Sequence, residues 1–253
     1  MSDPQNPASP SEALRLAVVV PVHNEVDNVA PLIAEIRAAL ADGPAFEILY
    51  VDDGSKDDTL EKLLALRAEA PELRVLRHVQ CCGQSAAVAT GVKAARAPII
   101  ATLDGDGQND PADIPNLLAT LESEAEPDLL LVAGWRAKRK DTAVKRYTSR
   151  FANGLRARLL KDDTPDTGCG LKVFTRAAFL DMPRFDHMHR FLPALMIRRG
   201  GRVTSVQVNH RPRERGASKY GTLDRALVGI SDLLGVIWLQ KRGSVPQVEE
   251  PDR

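Results

Sequence analysis

The chain has 253 residues, 34 Lys or Arg balanced by 34 Asp or Glu, and 43% apolar side chains. This length allows one large domain with a substantial core, and the balanced charge leaves no global field to favour nucleic acid or a membrane surface. The cysteines Cys81, Cys82 and Cys169 form neither a disulfide framework nor a zinc-type Cys/His spacing, which fits a reducing cytosol.

Residues 1–14 are polar and Pro-rich, without the basic start and apolar centre of a signal peptide, and read as a disordered leader. A single domain is expected over 15–240 and a polar tail over 241–253. Leu16 to Val22 is a β-branched run that reads as a buried parallel strand ending in Pro21-Val22-His23-Asn24-Glu25. Val29, Leu32, Ile33, Ile36 and Leu40 then recur at helical spacing. Phe46 to Val51 is the next strand, stopping at Asp52-Asp53-Gly54-Ser55. Ser55-Lys56-Asp57-Asp58 has the form of a capping box for the following helix. Leu73 to Val79 predicts a strand, Gln84 to Arg96 a helix, Pro98 to Leu103 a strand, Asp113 to Leu121 a helix and Asp128 to Ala133 a strand.

Strands alternating with amphipathic helices imply an α/β fold, a mostly parallel sheet with helices on both faces. Ligands of such sheets bind beyond the carboxyl ends of the strands, which brings the three polar strand ends at His23, Asp53 and Asp104 together. The stretch Asp104-Gly105-Asp106-Gly107-Gln108 holds two carboxylates one residue apart and then an amide. If it is extended, Asp104, Asp106 and Gln108 point the same way and offer oxygen ligands to one hard cation, Mg²⁺ or Mn²⁺. The alternative is an acidic turn that does nothing more than end a strand.

Later, Arg136 to Lys161 contains ten Lys or Arg and one acid, Asp141. Thr142 to Leu160 reads as a long basic helix, either simply exposed or set against an anionic membrane surface. Short strands over Leu171 to Phe174 and Arg202 to Val208 and helices over Ala177 to Met182 and Phe191 to Arg199 follow. The tail helix from Asp224 to Leu239 carries the stripe Leu227, Ile230, Leu234, Ile237 and Trp238, whose default is packing on its own domain, with lipid or a partner as alternatives. The apolar stretch from Ala226 to Leu239 is too short to span a bilayer, which takes about 20 residues.

The segments Val20-Pro21-Val22-His23-Asn24-Glu25, Asp52-Asp53-Gly54-Ser55 and Asp104-Gly105-Asp106-Gly107-Gln108 resemble the signatures of family 2 glycosyltransferases with the GT-A fold, which is Rossmann-like. Gly134-Trp135-Arg136, Asp166 to Lys172 and Arg213 to Tyr220 resemble the dolichol-phosphate mannosyltransferase group and its bacterial polyprenyl-phosphate relatives. The resemblance implies that Pro21, His23, Glu25, Asp53, Asp104 and Gly105 hold the nucleotide, and that Asp104, Asp106 and Gln108 hold the metal. It implies that Arg136, Arg213 and Lys219 meet phosphates, and that Lys145, Arg146, Ser149 and Arg215 lie at the acceptor phosphate.

The activity implied is inverting, metal-dependent transfer of a sugar from a UDP- or GDP-sugar to a polyprenyl phosphate, feeding cell-envelope glycan or glycolipid synthesis. The enzyme would be cytoplasmic and peripheral at the cytoplasmic face of the membrane, with room for a separate membrane-anchor protein and for a homo-oligomer, and with no nucleic-acid partner. Two other readings stay open: transfer to a carbohydrate hydroxyl, with Asp186, His187 or His189 as base, and a non-catalytic nucleotide-sugar binding module. Cys81-Cys82 departs from the family pattern, putting any polar contact from that loop in doubt and leaving a buried, small apolar role as the expectation.

Overall fold

A computed structural model of the chain describes residues 13–123, 128–136, 154, 156–212 and 222–244, the side chains of 222–228 excepted. The strand β1 (Leu16–Val22) is apolar on both faces, and this places it inside a sheet rather than at its edge. Leu16, Val18, Val20 and Val22 enter one core and Ala17 and Val19 the other. With β2 (Phe46–Asp52), β3 (Leu73–Arg77), β4 (Ile99–Thr102), β5 (Leu129–Trp135), β6 (Lys172–Thr175) and β7 (Arg202–Gln207) it forms a seven-stranded sheet in the order 3-2-1-4-6-5-7. β6 runs antiparallel to β4 and β5, and the remaining pairs are parallel.

Helices cover both faces, as the alternation of elements predicts. On one side α1 (Val26–Leu40), α2 (Thr59–Leu66) and α4 (Ile114–Leu121) bury Leu32, Ile36, Leu63, Ile114 and Leu118. On the other, α3 (Gln84–Ala94), α5 (Arg176–Leu180), α6 (Leu192–Arg198) and α7 (Thr222–Arg242) bury Val88, Phe179, Leu195 and Val236. Burying each large aliphatic side chain contributes about 1.5–3 kcal/mol, so the two apolar faces of the sheet drive the layering.

Several local expectations give way. β4 ends at Thr102, and residues 104–108 form a turn, so strand alternation does not orient Asp104, Asp106 and Gln108. The reason is local: the Asp106 carboxylate turns back to accept from Gln108 N–H at 3.1 Å. The capping box does not form either. Ser55 Oγ is taken by Asn24 N–H, and Asp57 accepts from Thr59 instead. Leu14, within the expected leader, packs against the core, and residues 1–12 lie outside the described residues.

In α7 the expected stripe divides. Ile237 packs inward beside Leu233 and Val236, whereas Ile230, Leu234 and Trp238 are 57%, 62% and 59% exposed. Leu227 is among the side chains not described, and most of the expected basic helix over 142–160 lies outside the described residues. Among the described residues no helix is long and apolar enough to cross a membrane.

Candidate active site

The order β2-β1-β4 sets three strand ends side by side on the edge where ligands of parallel sheets bind. The turns leaving β1 and β2 are tied into one wall. His23 Nδ1 lies 2.8 Å from the Asp53 carbonyl oxygen, which can only accept, so the ring carries its proton there. Asn24 N–H donates to Ser55 Oγ at 2.9 Å, Lys56 N–H donates to Asn24 Oδ1 at 2.7 Å, and Glu25 N–H donates to Thr59 Oγ1 at 2.9 Å. The Glu25 carboxylate accepts from Asn28 Nδ2 at 2.7 Å.

Asp53 is buried and fully satisfied. Oδ1 receives His78 Nδ1 at 2.7 Å and Cys82 N–H at 2.8 Å, and Oδ2 receives Gly83 N–H at 2.8 Å and the Cys81 thiol at 3.2 Å. Burial opposes its ionisation, but these donors outweigh burial and hold its pKa below the usual carboxylate value. The loop therefore supplies polar contacts, and Cys81 and Cys82 are exposed, contrary to the expected buried apolar role. The contacts come chiefly from main-chain N–H groups, which every residue type except proline provides. Gly54, at φ +68°, lets the loop come this close, since a Cβ there would meet Cys81 N at 2.7 Å.

Asp104 sits in the opposite environment. Burial and the neighbouring Asp106 both push its pKa up, while Lys172, a hydrogen bond from Gln84 and Arg136 pull the other way. Gln84 Nε2 donates to Asp104 Oδ1 at 2.7 Å, and Asn109 Oδ1 accepts from Asp104 N–H at 3.2 Å. Gly170 lies against the carboxylate so closely that a Cβ would overlap it. Consecutive residues thus link the two acids: Gly83 donates to Asp53 and Gln84 to Asp104.

A small pocket opens beside Asp104, lined among others by Pro21, Gln84, Gly170, Lys172 and His189. Lys172 is 3% exposed; burial lowers its pKa, and its ammonium donates to the Cys169 carbonyl and to Thr167 O at 3.4 Å. Ser85 Oγ accepts from His189 N–H at 3.2 Å and lies 2.7 Å from His189 Nδ1, to which the hydroxyl can bond in either tautomer. Burial pushes the His189 pKa down to about 3. Such a group is a poor general base.

Arg136, at the end of β5, forms a forked pair with Asp166, Nε to Oδ2 at 2.7 Å and Nη2 to Oδ1 at 3.0 Å. Burial works against its charge, but Asp166 outweighs that and raises its pKa. Gln108 contributes its backbone here: its N–H caps Asp106 and its carbonyl accepts from Arg211 N–H at 3.0 Å. Lys145, Arg146, Ser149, Arg213, Arg215 and Lys219 lie outside the described residues. Sequence reasoning missed Gln84, Lys172, His78 and Gly170. Lys172 and Gly170 lay within a recognised motif, but their distance from Asp104 in sequence hid the contact.

The family description "Glycosyl transferase family 2" matches residues 17–182, which contain Asp53, Asp104 and Asp106. The chain belongs to glycosyl transferase family 2. It is 37% identical over 242 residues to dodecaprenyl-phosphate galacturonate synthase of Rhizobium johnstonii, covering 94% of this chain and 70% of that protein. It is 32% identical over 212 residues to undecaprenyl-phosphate 4-deoxy-4-formamido-L-arabinose transferase of Shewanella sediminis, covering 83% of this chain and 62% of that protein. The fold is similar to glucosyl-3-phosphoglycerate synthase of Mycobacterium tuberculosis, solved with Mn²⁺, UDP and phosphoglyceric acid, at TM-score 0.64, 19% identity, and coverage of 92% of this chain and 80% of that one. This family 2 chain therefore has the GT-A fold expected from its strand-end motifs.

Proposed function

We propose that the chain transfers a sugar, with inversion, from a UDP- or GDP-sugar to a polyprenyl phosphate. The observation that carries the reading is the Asp104–Asp106 pair. A half-buried carboxylate, beside a second carboxylate and a pocket, has its ionised form disfavoured unless a cation arrives. The donor set is all oxygen, which fits Mg²⁺ or Mn²⁺. Asp104, Asp106 and Gln108 would hold the ion, which when bound supplies charge to offset that developing on the departing diphosphate.

The wall of Pro21, His23 and Glu25, with Asp53 and Gly105, takes the nucleoside. Arg136 stands close enough to Asp104 to influence its charge and, with Arg213 and Lys219, meets the phosphates. Arg211 supports that role for its neighbours in sequence. Its guanidinium bonds Glu35 at 2.7 Å and Asp110 at 2.8 Å, so the chain sets out toward Arg213 from the rim of the acidic turn. Lys145, Arg146, Ser149 and Arg215 take the acceptor phosphate.

A phosphomonoester loses its second proton near pH 6 and attacks without a base. That suits a site whose half-buried histidine is a poor one, and favours a phosphate over a carbohydrate hydroxyl as acceptor. The names of the two relatives support a polyprenyl-phosphate acceptor. Exposed Ile230, Leu234 and Trp238, with Lys241 and Arg242 in the last turn of α7, support peripheral contact with the cytoplasmic face of a membrane.

The test is nucleoside diphosphate release from UDP- or GDP-sugars with Mg²⁺ or Mn²⁺. Release that depends on added short-chain polyprenyl phosphate is expected; binding of the nucleotide-sugar without release would identify a binding module.

A further inference from the structure

The nucleoside corner holds a second group of metal-ligating side chains, of different chemistry from the acidic turn. Asp53 follows β2, His78 follows β3 and Cys82 lies in the loop before α3, and their ligand atoms all lie within 4.8 Å of one another. His78 and Cys82 share the loop between β3 and α3, four residues apart, and Asp53 comes to them from the loop after β2. We propose that Asp53, His78 and Cys82 bind one thiophilic divalent cation of the zinc class, separate from the hard-cation site at Asp104 and Asp106.

The ligand set decides the class of ion. A thiolate, an imidazole and a carboxylate select zinc-like cations, whereas the all-oxygen acidic turn selects Mg²⁺ or Mn²⁺. The geometry needs only small adjustments. Around a tetrahedral zinc ion, bonded at about 2.0 Å to nitrogen and oxygen and about 2.3 Å to sulfur, ligand atoms stand roughly 3.3–3.5 Å apart. The present His78 Nδ1 to Asp53 Oδ1 separation of 2.7 Å opens slightly, and the Cys82 sulfur swings in from Gln80 O, its acceptor at 3.3 Å. Cys82 is exposed and Asp53 buried, so an ion can enter from solvent and keep a water in its fourth position.

The outer partner of the imidazole suits both states. Without metal, the ionised Asp53 can only accept, so His78 Nδ1 carries the proton and Nε2 accepts from the Thr90 hydroxyl, 2.9 Å away. With metal on Nδ1, the ring proton resides on Nε2 and is donated to the same hydroxyl, which can act either way. The proton balance is one ring proton moved between nitrogens through solvent and one Cys82 thiol proton released as the sulfur binds the ion.

The consequence rests on the reading of Asp53 as part of the nucleoside wall: an ion seated there rearranges the Cys81–Gly83 loop and weakens donor binding. The test titrates the metal-free chain with Co²⁺, then displaces it with Zn²⁺, with and without UDP or GDP. A thiolate-to-cobalt charge-transfer band at one equivalent is expected, with affinity lower by about tenfold or more in both Cys82→Ser and His78→Gln and unchanged in Asp106→Asn. Circular dichroism confirms that each variant is folded, and Cys81→Ser serves as the thiol control. Absence of the band in wild type, or a band as strong in folded Cys82→Ser or His78→Gln, overturns the site. The expected band without any change in nucleotide affinity supports the site and instead removes Asp53 from the nucleoside wall.

Discussion

Asp53 and Asp104 flank β1 on one edge of one sheet and are touched by consecutive residues, yet their carboxylates sit in opposite states. Asp53 has a donor on every side and is held more acidic than usual; Asp104 has burial and a like charge against it and is held less acidic. Both are acids at the end of a strand, so the difference lies in what surrounds them. A satisfied carboxylate organises structure, while one short of positive charge is poised to gain it from a ligand. In the proposed function the first shapes the nucleoside wall and the second helps to hold the cation.

The largest effect that sharpens this contrast is on turnover. Asp106→Ala should lower kcat by about 10²–10³-fold or more while circular dichroism shows the fold intact, because it removes charge stabilisation needed only in the transition state. Lys219→Ala comes next, with a loss of roughly tenfold to a hundredfold in kcat and a smaller change in nucleotide affinity, read by steady-state kinetics beside equilibrium binding.

The two acids should then part in stability. Asp53→Asn should destabilise the chain by about 1–3 kcal/mol in urea unfolding, since an amide NH₂ replaces one acceptor oxygen and faces two of the four donors. Asp104→Asn should raise metal-free stability at neutral pH by about 0.5–2 kcal/mol, the usual sign for relieving a strained functional group. Equal signs would break the comparison.

The smallest effect is on pH dependence in the metal-free protein. The raised Asp104 pKa means the folded state binds more protons above the ordinary carboxylate value, so its unfavourable contribution fades as pH falls into that range. Asp53 acts oppositely: its contribution is full above the ordinary value and is lost as pH falls toward its lowered pKa. His189, with its pKa pushed down to about 3, adds a loss of stability as pH falls below about 6.5. Unfolding of His189→Gln should be less acid-sensitive over that range.

The parallel sheet and its helix-covered faces were legible because buried strands read as β-branched runs and α1 as an apolar stripe from Val29 to Leu40. The three strand ends followed from sheet topology, and Asp104 from its place after an apolar run. The turn at 104–108 was not legible, since Asp and Gly suit an extended ligand strip and a turn equally well. Lys172 and Gly170 reach Asp104 because β6 pairs antiparallel with β4, a long-range pairing that local periodicity cannot show. The role of the Cys81–Gly83 loop was hidden for another reason: it acts largely through N–H groups that side-chain identity does not reveal.

The account's central claim is that the carboxylate pair after β4 requires a hard cation. Calorimetric titration of Mn²⁺ into the chain with a nucleoside diphosphate present tests it most directly. One equivalent should bind to wild type and to Cys82→Ser but not to folded Asp106→Asn; undiminished binding to Asp106→Asn would contradict the claim.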